Sequence, residues 1–263
     1  MVVMKILGIE STCDETAAAV VEFDTSKISR ESSPKLKLLS SVIHSQIDIH
    51  AQFGGVIPEV AARSHIEYAN PVIRKALSQA GISFEDLDGI AVSYAPGLVG
   101  SLLVGTLTAR TYARIFNKPF YPIHHVEAHV YANFLNEKPP KFPFLALVVS
   151  GGHSQIVLFK AHGDYQILGE TQDDAIGEAF DKVARILDLS YPGGPAIEKL
   201  AKNGKNSLKL PTPKTDNIYD FSFSGIKTFV TNYLKEYKGS LYVISHDIEF
   251  LNEITTKILF INR

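Results

Sequence analysis

Two segments of this 263-residue chain follow one plan: an apolar strand, a short polar turn, then a second apolar strand. Residues 5–10 (Lys-Ile-Leu-Gly-Ile-Glu) read as a buried strand ending in polar residues. Residues 11–15 read as a turn and residues 16–23 as the returning strand. Residues 144–149, then Ser150-Gly151-Gly152-His153, then residues 154–160 repeat the plan. A strand–turn–strand device that occurs twice points to internal duplication, so the chain must build a similar sheet twice.

The rest of the pattern fills out each copy. Residues 36–44 predict a third strand, and residues 59–79 an amphipathic helix with Pro71 marking a break or a second start. Strands over 89–94 and 120–123 alternate with a helix over 99–116, and the histidine run at 124–129 opens the next helix. A strand over 165–171 and helices over 175–187 and 195–203 follow the second hairpin. Strands that first meander and then alternate with helices predict an α/β protein with mixed sheets, built twice, its halves facing across a cleft. The first domain is expected over residues 1–140, with Pro139-Pro140 at the boundary.

Composition narrows the class. Apolar residues make up 45%, charged residues 21%, and the net charge is −2, which is ordinary for a soluble protein and unlike a basic nucleic-acid coat. No apolar run is long enough to span a bilayer, and the first residues lead into a strand rather than a leader peptide. The single cysteine, Cys13, excludes an internal disulfide framework and fits a reducing, cytoplasmic setting. It reads as a small packed residue rather than a nucleophile.

His125 and His129 lie four apart, so in a helix both imidazoles share a face and can reach one cation. By spacing alone, a pair of ordinary surface or core histidines is an open alternative. The spacing is not that of a zincin, which needs Glu directly after the first His; Glu127 falls off the shared face. Gly151 and Gly152 let backbone N–H groups approach a phosphate, although a plain hairpin turn explains them equally. Glu178, Asp181 and Lys182 share a helix face that could meet ribose hydroxyls or simply be solvated. Tyr191-Pro-Gly-Gly-Pro195 is a rigid loop bringing backbone close to something, and Ala95 to Ser101 could aim helix N–H groups at an anion. Glu10, Ser11 and Asp14 at the mouth of the first hairpin are candidate acid–base or metal-orienting groups, with a polar turn as the equal alternative. His44, His50, His65 and His162 have no partner spacing and read as structural.

Several segments carry a resemblance to a known family. In order they are Gly8-Ile-Glu-Ser-Thr-Cys-Asp-Glu-Thr16, Gly54-Gly-Val-Ile-Pro-Glu-Val-Ala-Ala-Arg63, Pro96-Gly-Leu-Val-Gly-Ser-Leu-Leu-Val-Gly105 and His124-His-Val-Glu-Ala-His129. Val149-Ser-Gly-Gly-His153, Phe180-Asp-Lys182, Tyr191-Pro-Gly-Gly-Pro195 and Phe221-Ser-Phe-Ser-Gly-Ile-Lys227 follow. Together, over about residues 4–235, they resemble the TsaD family of tRNA N6-adenosine threonylcarbamoyltransferases, once labelled O-sialoglycoprotein endopeptidases. Ala95 and Ala128 stand where the family has glycine.

The resemblance implies a duplicated actin/Hsp70/sugar-kinase-like fold, with the second half (141–236) incomplete. It implies transfer of threonylcarbamoyl from threonylcarbamoyl-AMP to N6 of adenosine 37 in tRNAs reading ANN codons. By resemblance, His125 and His129 hold one divalent metal, Fe²⁺ first and Zn²⁺ second, while Val148, Val149, Ser150, Gly151, Gly152, Asp181 and Gly194 hold the adenylate. Implied partners are tRNA, TsaB and TsaE, with TsaC supplying the adenylate; no membrane is implied. Arg63, Arg74, Arg110 and Arg114 are candidate RNA contacts on basicity alone.

Residues 237–263 do not continue the family pattern. Neither the asparagine that contacts the adenylate nor the aspartate of a Cys-Thr-Asp-Asn-like stretch, the third metal ligand, has a match here. The segment instead resembles the switch-histidine region of an ABC-F-type ATPase, without any Walker A motif in the chain. The expectation is a foreign β-α-β tail, from a chimera or frameshift, on an impaired transferase. The rival readings are a non-catalytic nucleotide- or partner-binding remnant and a sugar-kinase-like phosphotransferase, the last disfavoured by the histidine pair.

Overall fold

The computed structural model describes residues 3–32, 34–205 and 208–236; the expected foreign tail lies outside them. The chain divides into two compact units, Met1–Phe144 with Phe159–Tyr165, and the remainder.

The first unit is built on a five-stranded mixed sheet of order β3-β2-β1-β4-β5. Strand β1 (Val3–Glu10) pairs antiparallel with β2 (Glu15–Asp24), which pairs antiparallel with β3 (Lys37–Ser45). On its other side β1 runs parallel to β4 (Gly89–Ala95), and β4 parallel to β5 (Phe120–His124). The central strands carry the apolar runs that a sheet covered by helices demands: Leu7, Val20, Ile90 and Val92 are almost wholly buried. Strand β5, at the edge, is where Pro122 is tolerated, because a proline cannot donate to a ladder.

A short helix α1 (Ile47–Ala51) leads to α2 (Pro58–Ala80), which packs on the sheet through residues at helical spacing. Ala61, Ser64, His65, Ala69, Val72, Ile73, Ala76 and Leu77 form its buried stripe. It stops at Gly81, whose left-handed backbone (φ 68°) gives its N–H to the carbonyls of Leu77 and Ser78. The expected break at Pro71 does not occur. Pro71 sits on the exposed side of one 23-residue helix, where the carbonyl it leaves without a donor is not trapped in the core. Helix α3 (Val99–Ile115) and α4 (His125–Tyr131) complete the unit. Beside α4, Tyr131, Phe134, Phe144, Phe159 and His162 pack ring on ring, Phe144 and Phe159 stacking at 5.1 Å.

Strands β6 (Phe144–Val149), β7 (Ser154–Ala161) and β8 (Asp164–Glu170) form a second sheet in sequence order. Helices α5 (Ile176–Ile186), α6 (Gly193–Ala201) and α7 (Ser224–Glu236) follow. The first three strands of each sheet thus come in the same chain order, as the duplicated α/β reading expects. Helix α6 starts two residues earlier than its sequence pattern predicts, because Pro195 falls in the first turn, where a missing N–H costs nothing.

Candidate functional site

In the first unit, β5 ends at His124 and α4 begins at His125, so the histidine pair occupies the opening turns of a helix at a strand's C-terminal end. Their Nε2 atoms lie 3.1 Å apart, with the rings edge-on at 80°. His125 Nδ1 is 3.1 Å from Glu10 Oε2, at the end of β1, and 3.3 Å from Thr12 Oγ1. A carboxylate only accepts, so Nδ1 carries the hydrogen, and Nε2 of His125 is the nitrogen that faces His129. Burial, and then the neighbouring His125, pull His129 below the usual imidazole range, which keeps it neutral and able to ligate.

Burial pushes Glu10 up, but hydrogen bonds with His125, Ser93 and Thr12 outweigh it and hold the carboxyl down at about 2. Its Oε1 takes the Thr12 N–H at 2.6 Å. Ser11 is fully buried and donates to the Ser101 carbonyl at 2.9 Å, so its hydroxyl is turned into α3. Burial and then the Asp14 charge push the Cys13 thiol up to about 12, as suits a packed residue. The same two causes raise Glu15 to about 7. Gly97 lies against Thr12: a Cβ there would stand 2.6 Å from its carbonyl oxygen. Leu98, just before α3, gives its N–H to that carbonyl, so this amide serves the neighbouring turn rather than an anion.

In the second unit the 150–153 turn is closed by Ser150 N–H to the His153 carbonyl at 2.8 Å. The Ser150 hydroxyl accepts from Gly152 N–H at 3.3 Å and His153 N–H at 3.0 Å. A Cβ at Gly151 or Gly152 would meet nothing within 4 Å, and neither has a positive φ. The fold of this unit does not require glycine at either position. Val149 is exposed and Val148 buried. Gly177 is different: its N–H meets the Ser150 carbonyl, and a Cβ would press on that oxygen at 2.7 Å and on Gly151 Cα at 2.8 Å.

Asp181 leaves the acidic face expected of it. Its Oδ1 accepts Gly193 N–H at 2.7 Å, tying α5 to the start of α6. The backbone that the Pro-Gly-Gly-Pro loop approaches is therefore α5 itself: a Cβ on Gly193 would stand 2.7 Å from Asp181 Cα and from the Phe180 carbonyl oxygen. Gly194, next in α6, is half-buried. Lys182 bridges Asp174 at 2.6 Å and Glu178 at 3.1 Å. Sequence reading missed Asp173, which accepts from the Ser222 and Ser224 hydroxyls and the Phe223 and Ser224 N–H groups, and so caps α7. An acidic residue 50 positions from the Ser-Phe-Ser segment gives no local signal for this. Arg63, Arg74, Arg110 and Arg114 are all exposed. Among the described residues, no group of three or more His, Cys, Asp or Glu could hold a metal.

The profile of the TsaD family, tRNA N6-adenosine threonylcarbamoyltransferase, matches residues 37–258, a span that runs into the segment read as foreign. A tRNA N6-adenosine threonylcarbamoyltransferase of Symbiobacterium thermophilum is 50% identical over 88% of this chain and 64% of its own length. Relatives of the same name from Clostridium perfringens (53% identical, 88% and 66%) and Persephonella marina (46%, 97% and 71%) are similar. The chain spans about two thirds of the length of these relatives.

Proposed function

The chain belongs to the TsaD family, and from that premise we propose that it transfers threonylcarbamoyl from threonylcarbamoyl-AMP to N6 of adenosine 37 in tRNAs reading ANN codons. The observation that carries this reading is the convergence of His125 and His129 Nε2 with Glu10 behind His125. Two nitrogens each about 2.0–2.1 Å from one ion stand roughly 3 Å apart, so the 3.1 Å spacing suits a shared cation. A carboxylate on the far nitrogen is the usual means of fixing a ligating histidine's tautomer. The two residues present therefore suit a divalent metal held by His125 and His129; the family resemblance, not the geometry, puts Fe²⁺ first and Zn²⁺ second. Such an ion, when bound, polarises a carbonyl oxygen as a Lewis acid.

The chain's own residues have distinct tasks. Glu10, held at about 2, stays ionised at neutral pH; it orients His125 and does not donate protons. The bare backbone at Gly151 and Gly152, beside Val148, Val149 and Ser150, suits close approach of the adenylate. Asp181 sets the start of α6, and with it Gly194, for the same ligand. In the reaction the adenine N6 amine attacks the carbamoyl carbon, the bond from that carbon to the phosphate oxygen breaks, N6 loses a proton, and AMP leaves. The reading places the chain in the cytoplasm with tRNA, TsaB and TsaE, and with TsaC as the source of the adenylate.

The test is mass-spectrometric counting of threonylcarbamoyladenosine after incubating the full chain with tRNA, threonylcarbamoyl-AMP and the partner proteins. Product above a partners-only background is expected, falling by about 10-fold or more with His125→Ala, since losing even a ligand's supporting partner costs about 10–100-fold. Background-level product from the native chain defeats the reading and leaves a binding remnant.

A further inference from the structure

We propose that His65 is a positioning residue that fixes the 11–15 turn and, through it, the orientation of His125. The proposal rests on the reading of His125 as a metal ligand.

Three consecutive carbonyls of this turn each take a donor from a different element. The Thr12 carbonyl takes Leu98 N–H at 2.8 Å, before α3, and the Asp14 carbonyl takes Gln46 N–H at 2.9 Å, before α1. Between them, the Cys13 carbonyl takes His65 Nε2 at 3.0 Å, from the middle of α2. The outer two donors are backbone amides. The central one is a side chain, and the Ser101 hydroxyl approaches the same oxygen only at 3.5 Å.

The hydrogens of this buried network can be assigned in sequence. A carbonyl only accepts, so His65 carries its hydrogen on Nε2, and Nδ1 accepts from the Thr16 hydroxyl at 2.8 Å. Ile57 N–H donates to His50 Nδ1 at 3.3 Å, so His50 donates from Nε2 to Gln46 Oε1 at 3.1 Å. That turns Gln46 Nε2 toward His65 Nδ1 and the Ala61 carbonyl, each at 3.5 Å. His50, Gln46 and His65 are all 0% exposed. A core needing only volume would be served by leucine at these positions; an imidazole committed at both nitrogens serves direction. Burial also holds His65 below the usual imidazole range, in keeping with a neutral ring.

The turn passes this constraint forward. Thr12 N–H holds Glu10 Oε1, Glu10 Oε2 holds His125 Nδ1, and Thr12 Oγ1 stands 3.3 Å from the same nitrogen. Without its donor, the part-buried Cys13 carbonyl lacks its main partner, and the peptide is drawn toward another. Thr12 is the adjacent residue, so Glu10 and His125 shift with it.

The experiment uses the full chain labelled with ¹⁵N-histidine, as native protein and as His65→Leu and His65→Gln. Imidazole ¹⁵N spectra should show His65 and His50 as neutral Nε2–H tautomers, with the His125 Nδ1 signal displaced in His65→Leu. Co²⁺ titration should show about 10-fold or more weaker binding in His65→Leu, the scale found when a ligand's supporting partner is lost. Glutamine retains an N–H donor, so His65→Gln should recover most of the affinity and the His125 signal. An Nδ1–H tautomer at His65, or a His125 signal unmoved in both variants, overturns the proposal. If His65→Leu fails to fold, the native tautomer still decides it: Nε2–H at His65 supports the proposal and Nδ1–H overturns it. Native protein whose Co²⁺ binding survives His125→Ala defeats the metal reading instead, while the tautomer and the His125 signal continue to test the positioning role.

Discussion

In the 11–15 turn, three successive carbonyls are held by α2, by α3's leading residue and by the loop before α1. In the 150–153 turn, Ser150 satisfies two N–H groups by itself and the glycines border open space. Both turns join the first two strands of their sheets, so the chain uses one local device to two ends. The first turn is fastened from behind so that charged side chains can be aimed. The second is closed by its own serine, with the Ser150 carbonyl taken by Gly177 N–H from α5, and the Gly151–Gly152 backbone stays open. Duplication supplies a shape; the surroundings decide whether it is held from outside or left open.

The largest effect should come from crowding the fastened turn. Gly105 lets α3 approach the 11–15 turn so closely that an added Cβ would overlap the Ser11 hydroxyl. Gly105→Ala should cost about 1–3 kcal/mol by denaturant unfolding, in spite of a better helix former. Combined with Ser11→Ala the cost should be less than additive, since the second change removes the overlapped atom; strict additivity would mean the two do not share that space. Next comes Ser150→Ala, which strips the acceptor from Gly152 and His153 N–H in a solvent-accessible turn. About 0.5–1.5 kcal/mol is expected in the same assay, and a larger loss would show the second turn to be less independent than it looks.

A smaller effect is expected from Asp173. Burial pushes its carboxyl up, but the donors from Ser222, Phe223 and Ser224 hold it down at about 2, below the ordinary value of 3.8. Its folded value is depressed, so its contribution is present above pH 4 and is lost as pH falls through about 2. Asp173→Asn should lower the melting temperature at neutral pH, with the gap to the native protein closing between about pH 4 and pH 2. A gap constant with pH would show that the charge is not what holds α7. Smallest in stability is Gly151→Ala, expected within about 0.5 kcal/mol because the new methyl meets nothing. Calorimetry with AMP should nonetheless show weakened binding, and unchanged binding would count against the adenylate site proposed at this turn.

Much of the fold was legible because its signals are local. Strand β6 has the bounds its apolar run predicts, and the 3.6-residue stripe of α2 runs through to Leu77. Pro71 misled because sequence shows a missing N–H but not which side of the helix loses it. The His125–His129 pair was visible from spacing, whereas its link to Glu10 spans 115 residues and needed the sheet to bring β1 and β5 near one another. Asp181 was read as a member of an acidic face and Asp173 had no reading of its own, yet both proved to be fixtures for distant N–H groups. Long-range hydrogen bonds leave no periodicity, so such roles stay hidden until the chain is folded. His50 and His65 read as structural from their lack of partners in sequence, and both are wholly buried within one network.

Pro71 has a consequence for motion. Lacking an N–H, it leaves the Glu67 carbonyl, two residues beyond His65, without its helical donor. Upstream of that seam α2 grips the 11–15 turn; downstream Val72, Ile73, Ala76 and Leu77 lock into the core. One continuous rod therefore contains two segments able to fray on separate clocks. Amide hydrogen exchange along α2 should divide at residue 71, and a ligand at His125 should slow the upstream segment while leaving the downstream one as it was.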